Sequence, residues 1–392
     1  LFLYNTSMSF FSPKSELALI FDIASSSVGA GLVRLARNEP ARVIHSIREV
    51  IPYQTTIDPD RLFRDMIEVL KKVYGDIIKQ GVTHLTGSEF RHVKIGRIFY
   101  SFASPWSATQ TKTLSIKRNE PFVFTHELLN NLMLDEEEKF KKEAIVTRRV
   151  SPAVLSVIER RIIQTRLNGY DVRDPFDKRA READISYFSG IVPKLVLDKT
   201  MEVCHVSHTS KNIKAYTFSL IAYSAIRDAF PKENDFIHIR IGGEISDVSV
   251  IEDGLIMASA SFPSGQNNVI RKIAENLNMT KEETFSFLNL YMKDHAKIVS
   301  GDRSEIVISR FMNEWVVSLR AVLEKLENSM FLPQKLFLIM DGELTDLFVK
   351  ALETDMTNNS NITDTAFNVT LLDTPIVLIS AFAERVYELE KK

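Results

Sequence analysis

Two stretches of the chain share one pattern of apolar and polar positions. LALIFDIASSSVGAGLVRL, residues 17–35, and FIHIRIGGEISDVSVIEDGLIMASA, residues 236–260, each run through a β-rich apolar segment, a tight turn of small residues and a second β-rich segment. Short apolar runs bounded by Ser and Gly read as strands, so each stretch predicts a strand-turn-strand hairpin. Residues 41–54 predict a third strand. Residues 61–80 carry Leu62, Phe63, Met66, Ile67, Leu70, Val73, Tyr74, Ile77 and Ile78 at helical spacing, which predicts one helix with a single buried face. With a further strand over 95–103 the chain opens as β-β-β-α-β.

The pattern then changes. Strands over 95–103 and 110–117 precede a helix over 125–144, whose DEEEKFKKE run reads as a solvated face. A strand over 154–167, the turn signal Asn168-Gly169, a strand over 185–192 and a helix over 194–208 follow. This predicts an α+β insertion over 94–210, set into a first lobe made of 16–93 and 211–235. A second lobe runs over 236–392: the second hairpin, a small helical subdomain over 265–330, a strand-turn-helix in KLFLIMDGELTDLFVKAL, and a closing strand and helix. Residues 1–15 are taken as an unstructured or mis-started leader, with Met8 as a start.

At 392 residues and 45% hydrophobic, the chain can bury a sizeable core in two or more domains. A formal net charge of −2 provides no broad basic field to attract nucleic acid or an anionic membrane. The lone Cys204 excludes an internal disulfide framework and fits a reducing cytoplasm. No window approaches a membrane span. GxSxG, HExxH and GxxxxGK[ST] segments are absent, which removes the commonest hydrolase and P-loop readings. Cys204, His205 and His208 sit at the end of a predicted helix, where the dipole favours His without a metal, so no metal site is expected there. Trp106 and Trp315 read as packing residues.

Turns built from Ser or Gly leave N–H groups and hydroxyls pointing outward, which is how backbones cradle phosphate oxygens. One such turn in each half suggests a duplicated domain with a nucleotide between the halves. In this order, with an insertion in the first half and a late strand-turn-helix, the chain resembles the actin-like superfamily, an α/β, ribonuclease H-like fold of two lobes. It is most similar to the bacterial cell-division protein FtsA family. FDIASSSVGAGL is similar to the superfamily's first phosphate motif, IRIGGEISDVSVIEDG to its second and FLIMDGELTDLF to its adenosine motif. The insertion lies where FtsA and the pilus-assembly protein PilM carry a strand-helix-strand-strand subdomain.

The resemblance implies an ATP and magnesium site between the lobes. Asp22 matches the acid that holds hydrated magnesium, and Ser25, Ser26 and Ser27 would face the terminal phosphates. On the residues alone, Asp22 reads equally as a cap of the Ser-rich turn. Gly242 and Gly243 match the glycines of the second motif, Asp247 its terminal acid, and Gly342 belongs to the adenosine motif. Several positions depart from the pattern. Arg240 stands where the family has an Asp, and an Arg can be neither base nor metal ligand. It is left with a direct phosphate contact or a salt bridge to Asp22 across the cleft. Glu244 replaces a glycine and Ile245 a Thr. Phe285 and Ser286 fall where FtsA-type proteins place a Glu and a Lys on the ribose, and Met340 and Asp341 where glycines let the backbone approach adenine. Phosphate, metal, ribose and base contacts are all altered, so weak or absent hydrolysis is expected, a pseudo-ATPase. The implied role is a cytoplasmic adaptor in cell division, recruiting partners such as the tubulin-like ring protein at the inner face of the membrane and self-assembling through its insertion. A PilM-like component that binds a peptide of a membrane subunit is the alternative, and a working ATPase a third. No FtsA-type amphipathic tether is recognisable near the C-terminus, so membrane contact would come through a partner or a missing tail.

Overall fold

A computed structural model of the chain describes residues 15–85, 95–148, 155–205, 212–293, 303–327, 332–340, 342, 344–355, 367–372 and 374–390. The chain begins with β1 (Glu16–Ile23), β2 (Ser27–Ala36), β3 (Glu39–Val50), α1 (Pro59–Gly81), a 3-10 turn (Val82–His84) and β4 (Ile95–Phe102). Next come β5 (Ala108–Val123), α2 (His126–Arg148), β6 (Leu155–Leu167), β7 (Tyr170–Asp171) and β8 (Arg179–Pro193). The chain returns through α3 (Lys194–His205), β9 (Ile213–Thr217) and α4 (Phe218–Ala229). The second half holds β10 (Phe236–Ile241), β11 (Ser246–Glu252), β12 (Leu255–Phe262), α5 (Gln266–Leu277), α6 (Lys281–Lys293) and α7 (Arg303–Glu327). It closes with β13 (Lys335–Met340), α8 (Thr345–Asp355), β14 (Asn368–Leu371) and α9 (Pro375–Glu390).

The two lobes are built on sheets of identical order, β3-β2-β1-β4-β9 and β12-β11-β10-β13-β14. In each, the first three strands form an antiparallel meander and the last two run parallel to the central strand. The second motif is therefore more than one hairpin: Asp253 (φ 50°) and Gly254 (φ 71°) turn the chain again between β11 and β12, the left-handed pair a tight hairpin needs.

Helix α1 starts where the Asp58 carboxylate accepts the N–H groups of Asp60 and Arg61, satisfying donors that have no partner inside the helix. Its buried stripe, Leu62, Met66, Ile67, Leu70, Val73, Tyr74 and Ile77, packs on one face of the first sheet. The other face of that sheet and the inner face of the second share a single core, with α4 and α9 contributing Ile221, Ala225, Ile379, Phe382 and Ala383. On the outer face of the second sheet, α5, α7 and α8 bury Val269, Ile273, Trp315, Leu319 and Phe348. Trp315 is a packing residue there, its indole N–H directed to the Ser264 carbonyl at 3.2 Å. Among the described residues no helix is long and apolar enough to cross a membrane.

Strand pairing draws the edge of the insertion more narrowly than residues 94–210. Strand β4 lies in the first sheet, parallel to β1, and α3 buries Val196 and Cys204 in the core shared with α1. The separate four-stranded sheet is β5-β8-β6-β7, with α2 covering one face through Leu129 against Leu114, Ile185 and Tyr187. That is the strand-helix-strand-strand unit expected from the sequence. Glu159 on β6 ties it to the first lobe: its carboxylate accepts the Thr217 N–H at 3.3 Å and the Thr217 hydroxyl at the start of α4.

Candidate functional site

The two small-residue turns meet between the lobes. In the first, the Ala24 N–H donates to the Ser27 carbonyl at 3.1 Å, and in the second Gly242 donates to Ile245 at 3.0 Å. The Trp106 indole N–H holds the first turn through the Ala24 carbonyl at 2.8 Å. The Glu244 N–H crosses to the Ser25 hydroxyl at 3.0 Å. The glycines of the second turn are required by this approach. A Cβ on Gly242 would stand 3.1 Å from Ser25 Oγ, and one on Gly243 would run into Ser26 Cβ. The two turns are in direct contact across the lobes.

Asp22, at the end of β1, is fully buried. Arg240 on β10 grips it bidentately, Nη1 to Oδ1 at 2.9 Å and Nη2 to Oδ2 at 2.7 Å. Arg48 on β3 adds a third bond to Oδ2 at 2.8 Å and a bond to the Ser27 hydroxyl at 2.8 Å. The Arg240 guanidinium lies over the Phe218 ring, its Cζ 3.9 Å from the centroid. Burial alone would raise the Asp22 pKa, but the charges and hydrogen bonds of Arg240 and Arg48 outweigh it and hold the carboxyl below its ordinary value. Asp22 does not cap the Ser-rich turn, since both its oxygens accept from guanidinium groups, and of the two roles open to Arg240 the salt bridge to Asp22 is the one formed.

The remaining positions are distributed around this cluster. Glu244 turns toward α5, where Asn267 and Arg271 donate to it, both at 2.9 Å. Asp247 faces the Ser104 N–H across the lobes at 3.4 Å, and Ile245 is half-buried in the second turn. Phe285 packs on the second-lobe core while Ser286, one residue on in α6, is exposed. Met340 pairs with Ile241 and is buried in that core. Gly342 has φ 127°, and a Cβ on it would stand 3.2 Å from Gln266 Oε1. Asp341 and His208 lie outside the described residues, as does the leader through residue 14. Among the described residues no cluster of three or more His, Cys, Asp or Glu side chains is arranged to hold a metal.

Arg48 and Phe218 complete the site without having been singled out from the sequence. Their signal is faint. Gly29 on β2 sits directly opposite Arg48, and a Cβ there would stand 2.8 Å from the guanidinium. A glycine in a buried strand facing a charged residue marks a channel for that side chain.

The donor set around Asp22 does not fit a magnesium ion. Magnesium demands oxygen ligands in near-octahedral array at roughly 2.0–2.1 Å. Here the Asp22 oxygens accept three guanidinium N–H groups, and a dication beside Arg240 and Arg48 would meet two like charges.

No family model matches the chain, and no curated protein sequence does. Solved structures do. A structure described as a PilM-PilN type IV pilus biogenesis complex is similar at 12% identity, covering 94% of this chain and 98% of that one, with a TM-score of 0.56. The ethanolamine utilization protein EutJ from Carboxydothermus hydrogenoformans is similar at 11% identity, 94% and 88% coverage and a TM-score of 0.45. A Bacteroides thetaiotaomicron protein with an actin-like ATPase fold matches at 12% identity, 94% and 96% coverage and a TM-score of 0.40. At these identities the likeness concerns the fold alone: with the pilus complex, at a TM-score of 0.56, it spans nearly all of both chains, and the duplicated sheets and the inserted unit are those of an actin-like, two-lobed α/β fold.

Proposed function

We propose that this chain is an actin-fold scaffold that works by binding protein partners and does not turn over ATP. The observation that carries the reading is the Asp22–Arg240–Arg48 cluster, which joins the lobes at the place where the fold's ATPases are implied to hold metal and phosphate. An ion pair supplied by the chain itself ties the lobes together without drawing on a ligand. The motif order that resembles FtsA supports an adaptor in cell division. The likeness to PilM, in a complex with PilN, supports a component of a pilus machine, and because it spans nearly all of both chains it is the better supported of the two. In either role the partner would bring the chain to the membrane.

The test is a titration of the purified chain with a fluorescent ATP analogue and magnesium, followed by a phosphate-release assay. The expected result is no saturable binding below ~1 mM and no phosphate released; a Kd near ~1 μM, worth about 4 kcal/mol more, with magnesium dependence and turnover would sink the scaffold reading.

A further inference from the structure

A second opening lies away from the paired turns. A cleft of about 1100 Å³ separates the uncovered face of the inserted sheet from the β11–β12 hairpin. Its floor is one face of three strands in register: Thr113 on β5 opposite Ser186 on β8, and Ser186 opposite Gln164 on β6. The neighbouring residues Leu114, Ile185 and Tyr187 point the other way, into the core under α2. Thr113 is exposed and Gln164 and Ser186 are half-buried, so this polar face opens to the cleft.

The opposite wall is held rigidly. The Gly254 carbonyl accepts from the Tyr223 hydroxyl at 2.7 Å and from Arg227, both on α4. The Asp253 N–H donates to Asp235 at 2.7 Å. Ligand sites gain from walls ordered before the ligand arrives.

The lining is acidic. Four carboxylates (Asp171, Asp184, Glu252, Asp253) against two guanidiniums (Arg166, Arg173) leave a net charge of −2. Asp171 is committed to Arg166 at 2.9 Å, and Asp184 is met only by the Ser115 hydroxyl among the described residues. Glu252 and Asp253 have no ion-pair partner among the described residues. Apolar side chains reach the same space, with Ile162 at 45% and Met257 at 38% exposure. The volume lies just above the ~300–1,000 Å³ typical of small-ligand sites. An extended segment, whose side chains alternate between two faces, presents charge to one wall and apolar groups to the other.

The geometry points to this cleft as the docking site for an extended segment of a partner protein that carries Lys or Arg beside large apolar residues. The inference rests on the scaffold reading and gives it a surface.

A phage-displayed library of random ten-residue peptides, panned on the full chain, supplies the probe, and a fluorescein-labelled synthetic copy of the most enriched peptide is then titrated. Enriched peptides are expected to pair Lys or Arg with Leu, Ile or Phe. Glu252→Lys and Ser186→Trp should each weaken binding at least tenfold with unchanged circular dichroism melts. Arg173→Glu, which adds acid to the wall, should tighten binding several-fold, an outcome misfolding cannot imitate. Acidic enriched peptides, no enrichment at all, self-association of the chain through this face, or binding indifferent to Ser186→Trp and Arg173→Glu would overturn the assignment. The two readings fail separately: ATP turnover removes the scaffold reading and leaves the peptide titrations standing, while absent peptide binding in a chain that also ignores ATP removes the cleft alone.

Discussion

Arg240→Ala is expected to lower the stability of the folded chain by about 3 kcal/mol at neutral pH, read from the denaturant midpoint. Removing one partner of a buried ion pair costs roughly 3–5 kcal/mol because the other charge stays buried, and Arg48 remains to offset part of that at Asp22. The lost contact with Phe218 adds ~0.5–2 kcal/mol. Arg48→Ala should cost only about 1 kcal/mol, since it leaves the bidentate grip of Arg240 intact. The pH dependence has a definite sign. Because the folded Asp22 pKa is depressed, the cluster's contribution is fully present above the ordinary carboxylate value of about 3.9 and is lost as the pH falls through the folded value. The gap between native protein and Arg240→Ala should therefore narrow toward pH 2. Exchanging both partners, Asp22→Leu with Arg240→Met, should come within about 1–2 kcal/mol of the native chain, since a well-packed apolar pair often replaces a buried ion pair at little cost. A double variant as unstable as the single one would mean that the tie has no apolar substitute and that the lobes depend on the charge itself.

The repeated architecture was legible because burial writes itself into apolar runs. The β1–β2 and β10–β11 turns are marked by Ser and Gly, and α1 by a stripe that recurs every three or four residues. The consequence of Arg240 was also half-visible, since an Arg at that place has few acceptors to choose from and Asp22 was one of them. What could not be read was the third member. Arg48 sits on a strand whose polar and apolar residues alternate irregularly, so it looks like any solvated cation until the pairing with Gly29 on β2 is known. The glycines of the second turn carried the opposite ambiguity. A close approach by a phosphate and a close approach by another turn demand the same missing side chain, and only the cross-lobe bond from Glu244 to Ser25 separates them. The edge of the insertion was misplaced for a related reason: β4 is as apolar as the strands beside it, and which sheet a strand joins is decided by partners far away in the chain.

Relative to Glu159→Gln, the native chain should lose stability as the pH rises from about 4 to about 8; buried His238, whose pKa is pushed down to about 4, gives both proteins the opposite slope below about 6.5. Glu159 is 6% exposed on β6, and burial pushes its pKa up to about 8, against the opposing pull of the Thr217 hydroxyl and N–H bonds and of the Arg161 charge. Gly190 beside it leaves the space, since a Cβ there would meet both the Glu159 carboxylate and the Thr217 methyl. In the unfolded chain the same group has a pKa of about 4.3. Below that value both states are protonated and the full stability is present. Between the two values the unfolded state releases its proton while the folded state keeps it, so stability is lost up to the folded pKa and is level above it. Each pH unit in that window costs up to about 1.4 kcal/mol, on the order of 5 kcal/mol in all. Urea midpoints at pH 4, 6, 8 and 9 would measure this, with the variant about equal to the native chain at the lowest pH and the more stable of the two at pH 8. Because the bond joins the inserted sheet to the first turn of α4, ionisation should act first on that junction. Hydrogen exchange at β6 and at Thr217 should accelerate with pH beyond the intrinsic base-catalysed rate in the native chain and not in Glu159→Gln. An equal slope in both proteins would assign the effect to other groups and would leave Glu159 charged at neutral pH, held by Thr217 and the N-terminus of α4.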